Sequence, residues 1–210
     1  MRILPAATRH PLFKPALFLL CLGPLVALGL RFPDELGVNP IETLNRTTGQ
    51  WAMRFLLLTL AVTPLARLTR TPGLMRIRRM IGLFAFFYVC LHLSSYVGLD
   101  QFFDMSAIWA DIIKRTFITL GFAAFVLLVP LAITSTRKMQ KRLGAKVWSR
   151  LHKLIYPAAI LVIFHFTMMT KADFREPIIY GLILAGLLGW RASRALHRRM
   201  SAQRTDQQTA

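Results

Sequence analysis

Acidic residues are scarce in this chain. Nine Asp and Glu stand against 27 Lys and Arg, which gives a net charge of +18 over 210 residues. Charge as a whole is scarce too, at 17% of residues. A basic nucleic-acid-binding domain would be far more polar, so the cation excess does not point to nucleic acid. Cysteine is limited to Cys21 and Cys90, each inside an apolar run. That excludes a cysteine-held zinc or iron–sulfur centre, and both residues read as small buried apolar groups, not as a disulfide. No GxGxxG follows a strand-like stretch, no Walker sequence is present, and no internal repeat or low-complexity tract stands out.

What the chain has in abundance is apolar sequence. Hydrophobic residues make up 55% of it and the mean hydropathy is +0.48. A membrane protein with basic cytoplasmic loops combines such hydropathy with such charge. Six apolar segments can be marked: Pro15–Leu30, Trp51–Leu68, Ile81–Leu99, Phe117–Thr134, Leu151–Thr170 and Pro177–Trp190. A helix needs about 20 residues to cross the hydrocarbon. The third and fifth segments meet that readily. The sixth is the shortest, and it spans if Arg191 and Arg194 snorkel with Trp190 at the interface. The first segment has the basic flank of a signal peptide, but Arg31, Phe32 and Pro33 follow it in place of a small-residue cleavage site, so it reads as a retained span. The predicted fold is an all-α membrane protein, a bundle of six transmembrane helices. A tail of residues 1–14 precedes the transmembrane domain at 15–193, and a tail expected to be disordered follows at 194–210.

Charge orients the bundle. The N-terminal tail, the 67–79 and 135–153 loops and the C-terminal tail hold 20 of the 27 Lys and Arg, whereas the remaining stretches hold 8 of the 9 acids. Excess Lys and Arg marks the cytoplasmic side, so both termini are predicted to be cytoplasmic and the loops 31–50, 100–116 and 170–176 to face outward. The basic loops also suit anionic lipid.

Histidines carry the chemistry. His92 lies inside IGLFAFFYVCLHLSSYVGL, and His165 inside PAAILVIFHF, with His152 thirteen residues before it. An ionisable residue at membrane depth is by default a candidate functional site, and neutral imidazole is a common haem-iron ligand. The third segment enters near Arg79 and the fifth near Arg150, both running outward, so at about 1.5 Å per residue His92 and His165 reach the same depth, about 20 Å in. His152 stays at the cytoplasmic edge. On an ideal helix His152 and His165 lie roughly 140° apart, and Pro157 between them is placed to kink the helix and change that phase. Interhelical bonding to Ser94, Ser95 or Thr167 is the alternative role for the two deep histidines. Phe84, Phe86, Phe87, Phe164 and Phe166 around them would suit a porphyrin or ordinary packing. His10 and His197 sit in basic tails.

This pattern resembles the transmembrane cytochromes of ferric reductases and NADPH oxidases, which use two histidines on each of two helices to stack two haems. The chain departs from them at Arg78, where the inner ligand on the third segment would stand. The stretches NPIETLNRTTGQWAMRFLLLTLAVTPLARL, RRMIGLFAFFYVCLHLSSY and WSRLHKLIYPAAILVIFHF resemble more closely the MsrQ family of haem-binding membrane subunits, over about residues 10 to 195. The resemblance implies haem b on His92 and His165 as axial ligands of the iron, with His152 a candidate second-haem or edge ligand. It also implies an associated FMN. Electrons would come from the quinone pool or a cytoplasmic flavin reductase and pass to a periplasmic molybdenum-cofactor methionine-sulfoxide reductase, with the chain in a bacterial inner membrane. Arg78 is a candidate contact for a haem propionate or a flavin phosphate. The expected role is electron transfer, with no catalytic residue acting on a substrate. A stand-alone metal reductase would share the cytochrome core but needs a flavin and nicotinamide domain, and a transporter subunit would use the histidines as a proton or metal path.

Overall fold

The computed structural model describes residues 10–32 and 36–209, and the described residues are almost entirely helical. In chain order the helices are α1 (Phe13–Leu30), α2 (Pro40–Leu68), α3 (Met75–Ser95), α4 (Met105–Lys114), α5 (Thr116–Ile133), α6 (Arg137–Leu151), α7 (Ile155–Met169) and α8 (Arg175–Thr209). Among the described residues, five helical stretches are long and apolar enough to cross a membrane: Phe13–Leu30, Pro40–Leu68, Pro72–Asp100, Thr116–Ile133 and Arg137–Met169. The sixth apolar segment forms the first part of α8. That helix continues through Thr209, so the stretch from 194 expected to be disordered is helical that far. Its Ala, Arg, Met and Gln are good helix formers.

Helix α2 is the centre of the bundle. It starts with Pro40 in the first turn, and the Asn39 side chain accepts from the Glu42 N–H at 3.1 Å. This pairs proline at the helix start with a side-chain cap. Ala52, Met53, Phe55, Leu56, Leu57, Leu60 and Val62 of α2 are buried, and Leu60 is fully so. The most extensive helix pairings are α2 with α3 and α5 with α7. Large apolar side chains on the outside, such as Leu19, Leu20, Phe164 and Leu182, are exposed, as expected of surfaces that meet lipid acyl chains.

Prolines inside the helices need compensation, because each removes one N–H from the helical ladder. Pro64 frees the carbonyl of Leu60, and the guanidinium of Arg191 on α8 donates to that carbonyl. Arg191 also donates to Leu187 O at 3.0 Å and lies over the Tyr156 ring. Next to Pro24 on α1, the hydroxyl of Tyr88 enters the ladder. It accepts from the Leu25 N–H at 3.1 Å and donates to Cys21 O at 3.0 Å, so it bridges two groups that would otherwise bond each other. Tyr88 is 1% exposed and packs against Phe55 and Phe87. Pro157, expected to kink the helix that carries His152 and His165, falls in the first turn of α7, where proline is tolerated. A 3₁₀ turn at His152–Leu154 joins α6 to α7 just before it.

Two loop regions of the sequence are helical as well. The stretch 137–151 forms α6, capped by Thr136 and bent at Gly144, whose φ of 74° lies in the left-handed region. Residues 105–114 form α4, capped by Asp104, whose carboxylate accepts from the N–H groups of Ser106 and Ala107. The Ser106 hydroxyl bond, with those backbone bonds, holds the exposed Asp104 carboxyl below its usual range.

Tyr88→Phe keeps the ring and removes the bridging oxygen. The Leu25 N–H and Cys21 O can then regain only their one helical bond in place of the two that the hydroxyl made, a loss of about 1 kcal/mol. The variant is expected to unfold at a lower temperature in detergent; an unchanged unfolding midpoint would contradict the bridge.

Candidate functional site

His92 lies one turn before the end of α3 and His165 one turn before the end of α7. The structure brings the two imidazoles together, with ring centres 6.2 Å apart and planes at 76°. Each ring is held by a backbone carbonyl of a neighbouring helix. His92 Nδ1 lies 2.9 Å from Asn45 O on α2, and His165 Nδ1 lies 2.6 Å from Phe117 O on α5. A carbonyl can only accept, so Nδ1 carries the proton in both rings. Nε2 of each neutral ring then keeps its lone pair, and no described residue hydrogen-bonds it. This is the tautomer a metal-binding imidazole requires.

The spacing suits an iron between the rings. An imidazole nitrogen binds a first-row metal at about 2 Å, and the ring centre lies about 1 Å behind that nitrogen. Two imidazoles on one iron therefore have centres roughly 6 Å apart, which matches the observed separation. The donor set, two neutral nitrogens among apolar helices, also fits haem iron.

The surroundings of the two rings are alike. Gly49 of α2 faces the His92 ring, and Gly121 of α5 faces the His165 ring. His92 has an additional lock. Asn45 Nδ2 donates to Ser95 Oγ at 3.1 Å, and Ser95 Oγ donates to His92 O at 2.9 Å. The hydroxyl of Thr167 turns back to Ile163 O, so it does not hold His165. Bonding across helices does occur, through Nδ1 and backbone carbonyls, and it leaves Nε2 available.

The aromatic residues expected around the pair are mostly occupied elsewhere. Phe84 is buried against Phe18 and Phe55, Phe86 stacks on Phe125, Phe166 meets Tyr180, and Phe164 is exposed. His152 sits apart from the pair. It stacks on Trp148 with centres 4.0 Å apart, and its Nε2 lies 3.1 Å from Thr134 Oγ1. Trp148 Nε1 donates to Thr134 O at 2.9 Å and closes the cluster. Arg78 is half-buried within electrostatic reach of Tyr156, Arg191 and His152, and none of the described ion pairs includes it.

At the arginine-rich end, a cleft of about 500 Å³ opens between α2, the 70–75 turn and α8, lined by Thr63, Ala66, Arg67, Arg70, Pro72, Met75 and Arg194. Arg67 and Arg194 both lie over the Trp190 ring, at 5.6 and 4.9 Å. The sequence offered these arginines only as topology signals; their meeting on one tryptophan depends on how α8 packs against α2. At the acid-rich end, Asp111 accepts from Tyr96 at 2.9 Å and pairs with Arg115 at 3.0 Å, while Asp104 is spent as a helix cap. Phe102, Phe103 and Trp109 beside them are exposed. Phe102 and Phe103 have φ of 45° and 61°, a left-handed backbone that costs a residue with a side chain about 1–3 kcal/mol.

Residues 48–163 match the family of ferric reductase like transmembrane components, which defines the class of this helical bundle. Relatives along nearly the whole chain narrow it further. One from Rhodospirillum rubrum is 56% identical over 196 residues, covering 93% of this chain and 94% of its own. One from Herminiimonas arsenicoxydans is 51% identical over 187 residues, covering 88% and 86%, and one from Caulobacter vibrioides is 48% identical over 188, covering 89% and 90%. Each of these relatives is named protein-methionine-sulfoxide reductase heme-binding subunit MsrQ. The chain belongs to the MsrQ family.

Asn45→Ala removes the amide that ties α2 to Ser95 but keeps the backbone carbonyl that holds His92. A loss of stability of about 1 kcal/mol is expected for that hydrogen bond, measured by denaturant unfolding in detergent; no change would show that the Asn45–Ser95 link does not hold the two helices.

Proposed function

We propose that this chain is the membrane electron-transfer subunit of a methionine-sulfoxide reductase system, with a b-type haem held between His92 and His165. The observation that carries this reading is the pair of imidazoles with ring centres 6.2 Å apart, each with Nδ1 bound to a backbone carbonyl and Nε2 left for a metal. The relatives' shared name supports both the haem and the system it serves. When bound, the haem supplies reversible one-electron exchange at its iron. The chain's part is to present two neutral imidazoles, fix their orientation, and surround them with apolar helices that keep water away.

Six spans with both termini in the cytoplasm follow from the charge distribution, with α8 as the sixth and Trp190 with Arg194 at its cytoplasmic edge. The membrane is then a bacterial inner membrane. Electrons enter at the arginine-rich end from the quinone pool or a cytoplasmic flavin reductase. The family resemblance implies an associated FMN, and we assign it to that end because Arg67, Arg70 and Arg194 line the cleft there and Arg78 has no described carboxylate partner; arginine is well suited to phosphate and propionate oxygens. His152, engaged by Thr134 and Trp148, is read as an edge residue of that entrance. Electrons leave at the acid-rich, periplasmic end to a molybdenum-cofactor reductase. Its docking surface is placed on the exposed Phe102, Phe103 and Trp109, whose strained backbone at 102 and 103 supports a functional role.

The haem reading is tested by a dithionite-reduced minus oxidised spectrum of the purified protein and its variants. His92→Ala and His165→Ala are each expected to abolish the low-spin b-type spectrum, while His10→Ala and His197→Ala keep it. A normal spectrum and full haem occupancy in His165→Ala would contradict the pairing, and no haem in the unaltered protein would favour a non-redox membrane role. The orientation is tested by fusing, after residue 200, a reporter that is active only in the periplasm. It is expected to stay silent; activity would reverse the topology or remove a span.

A further inference from the structure

Two glycines stand in equivalent places at the two histidines. A Cβ built on Gly49 would lie 3.0 Å from His92 Nδ1 and 3.1 Å from its Cε1. A Cβ on Gly121 would lie 2.8 Å from His165 Nδ1 and 3.0 Å from its Cε1. In each case the carbonyl that holds the ring belongs to the residue four positions before the glycine: Asn45 before Gly49, and Phe117 before Gly121. Helix geometry explains the spacing. The Cα–Cβ bond tilts toward the helix N-terminus, so a side chain covers the turn before its own Cα. Any residue other than glycine at 49 or 121 would cover the carbonyl that the imidazole uses. Glycine is otherwise a poor choice inside a helix. By contrast, a Cβ on Gly23, Gly29, Gly186 or Gly189 meets nothing within 4 Å.

We propose that Gly49 and Gly121 are paired positioning residues, each clearing a backbone carbonyl so that the axial imidazole can dock on it, and that together they set the ligand field and the reduction potential of the haem. The inference rests on the reading that His92 and His165 ligate the iron. A hydrogen bond from Nδ1–H makes an imidazole a more basic ligand and fixes its orientation. More basic ligands favour the oxidised iron. Displacing the ring from its carbonyl therefore raises the midpoint potential and weakens axial ligation. Gly121 is the tighter of the two positions, so its substitution has the larger effect.

The experiment compares Gly49→Ala and Gly121→Ala with Gly23→Ala and Gly186→Ala in the full-length protein, purified in detergent with its haem. Haem affinity, the ferric electron paramagnetic resonance spectrum and the midpoint potential are measured for each. Gly121→Ala and Gly49→Ala are expected to shift the g-values, raise the potential and lower haem affinity by about 10- to 100-fold, the range for lost support of a metal ligand, while the two control variants match the unaltered protein. Alanine is the better helix former, so a loss at 49 or 121 cannot be assigned to a weaker helix. If Gly121→Ala fails to accumulate, Gly49→Ala decides, because its milder contact can be relieved by a small ring movement. Unaltered g-values, potential and affinity in the glycine variants, with haem lost from His165→Ala, would overturn the inference and leave the ligation intact. Haem retained in both His92→Ala and His165→Ala would overturn the ligation itself, and the inference with it.

Discussion

The arrangement depends on one kind of interaction, a histidine Nδ1–H donating to a backbone carbonyl of a neighbouring helix, used once for each ring. A neutral imidazole in hydrocarbon is costly unless it is satisfied, and a helix carbonyl with a spare lone pair satisfies it without a polar side chain. The bond also chooses the tautomer, and with it which nitrogen faces a metal. Asn45 O and Phe117 O thus determine both the stability of the two rings and what they can bind. Each ring is anchored to a helix other than its own, so the pair is defined only when α2 packs on α3 and α5 on α7.

The rest of the bundle preserves those two packings. Arg191 repairs the carbonyl freed by Pro64 in α2, and Tyr88 bridges the Cys21 carbonyl and the Leu25 N–H beside Pro24 in α1. Such repairs fix the register between helices more firmly than apolar contact does, because in lipid an unpaired backbone group has no water to turn to. Arg191 repairs the helix at the arginine-rich end, next to the cleft of Arg67, Arg70 and Arg194, so the packing of α8 and the chemistry of that end share one residue.

Much of this was legible in the sequence. Five of the six apolar runs fall in helical stretches long and apolar enough to cross a membrane, and counting residues from Arg79 and Arg150 placed His92 and His165 at one depth, as their 6.2 Å separation requires. Hydropathy does not register single backbone groups, and that is where the reading stopped. The 3₁₀ turn at His152–Leu154 breaks the α-helix between the two histidines, and Pro157 falls in the first turn of α7, where proline is tolerated. The charged stretch 137–151 reads as a loop by hydropathy yet forms α6. At the opposite end Asp104 caps a helix and Asp111 bonds Tyr96 and Arg115, local pairings that a count of acids does not register. The glycines at 49 and 121 gave no signal beyond composition, since their meaning lies in a ring on another helix.

One iron between His92 and His165, with both rings fixed by backbone carbonyls, would be read out by electron paramagnetic resonance of the oxidised protein. The expected signal is that of a low-spin ferric haem with two imidazole ligands and the strongly anisotropic g-tensor of nearly perpendicular ring planes, in line with the 76° between the rings. A purely high-spin signal, or the signature of a thiolate or methionine ligand, would contradict it.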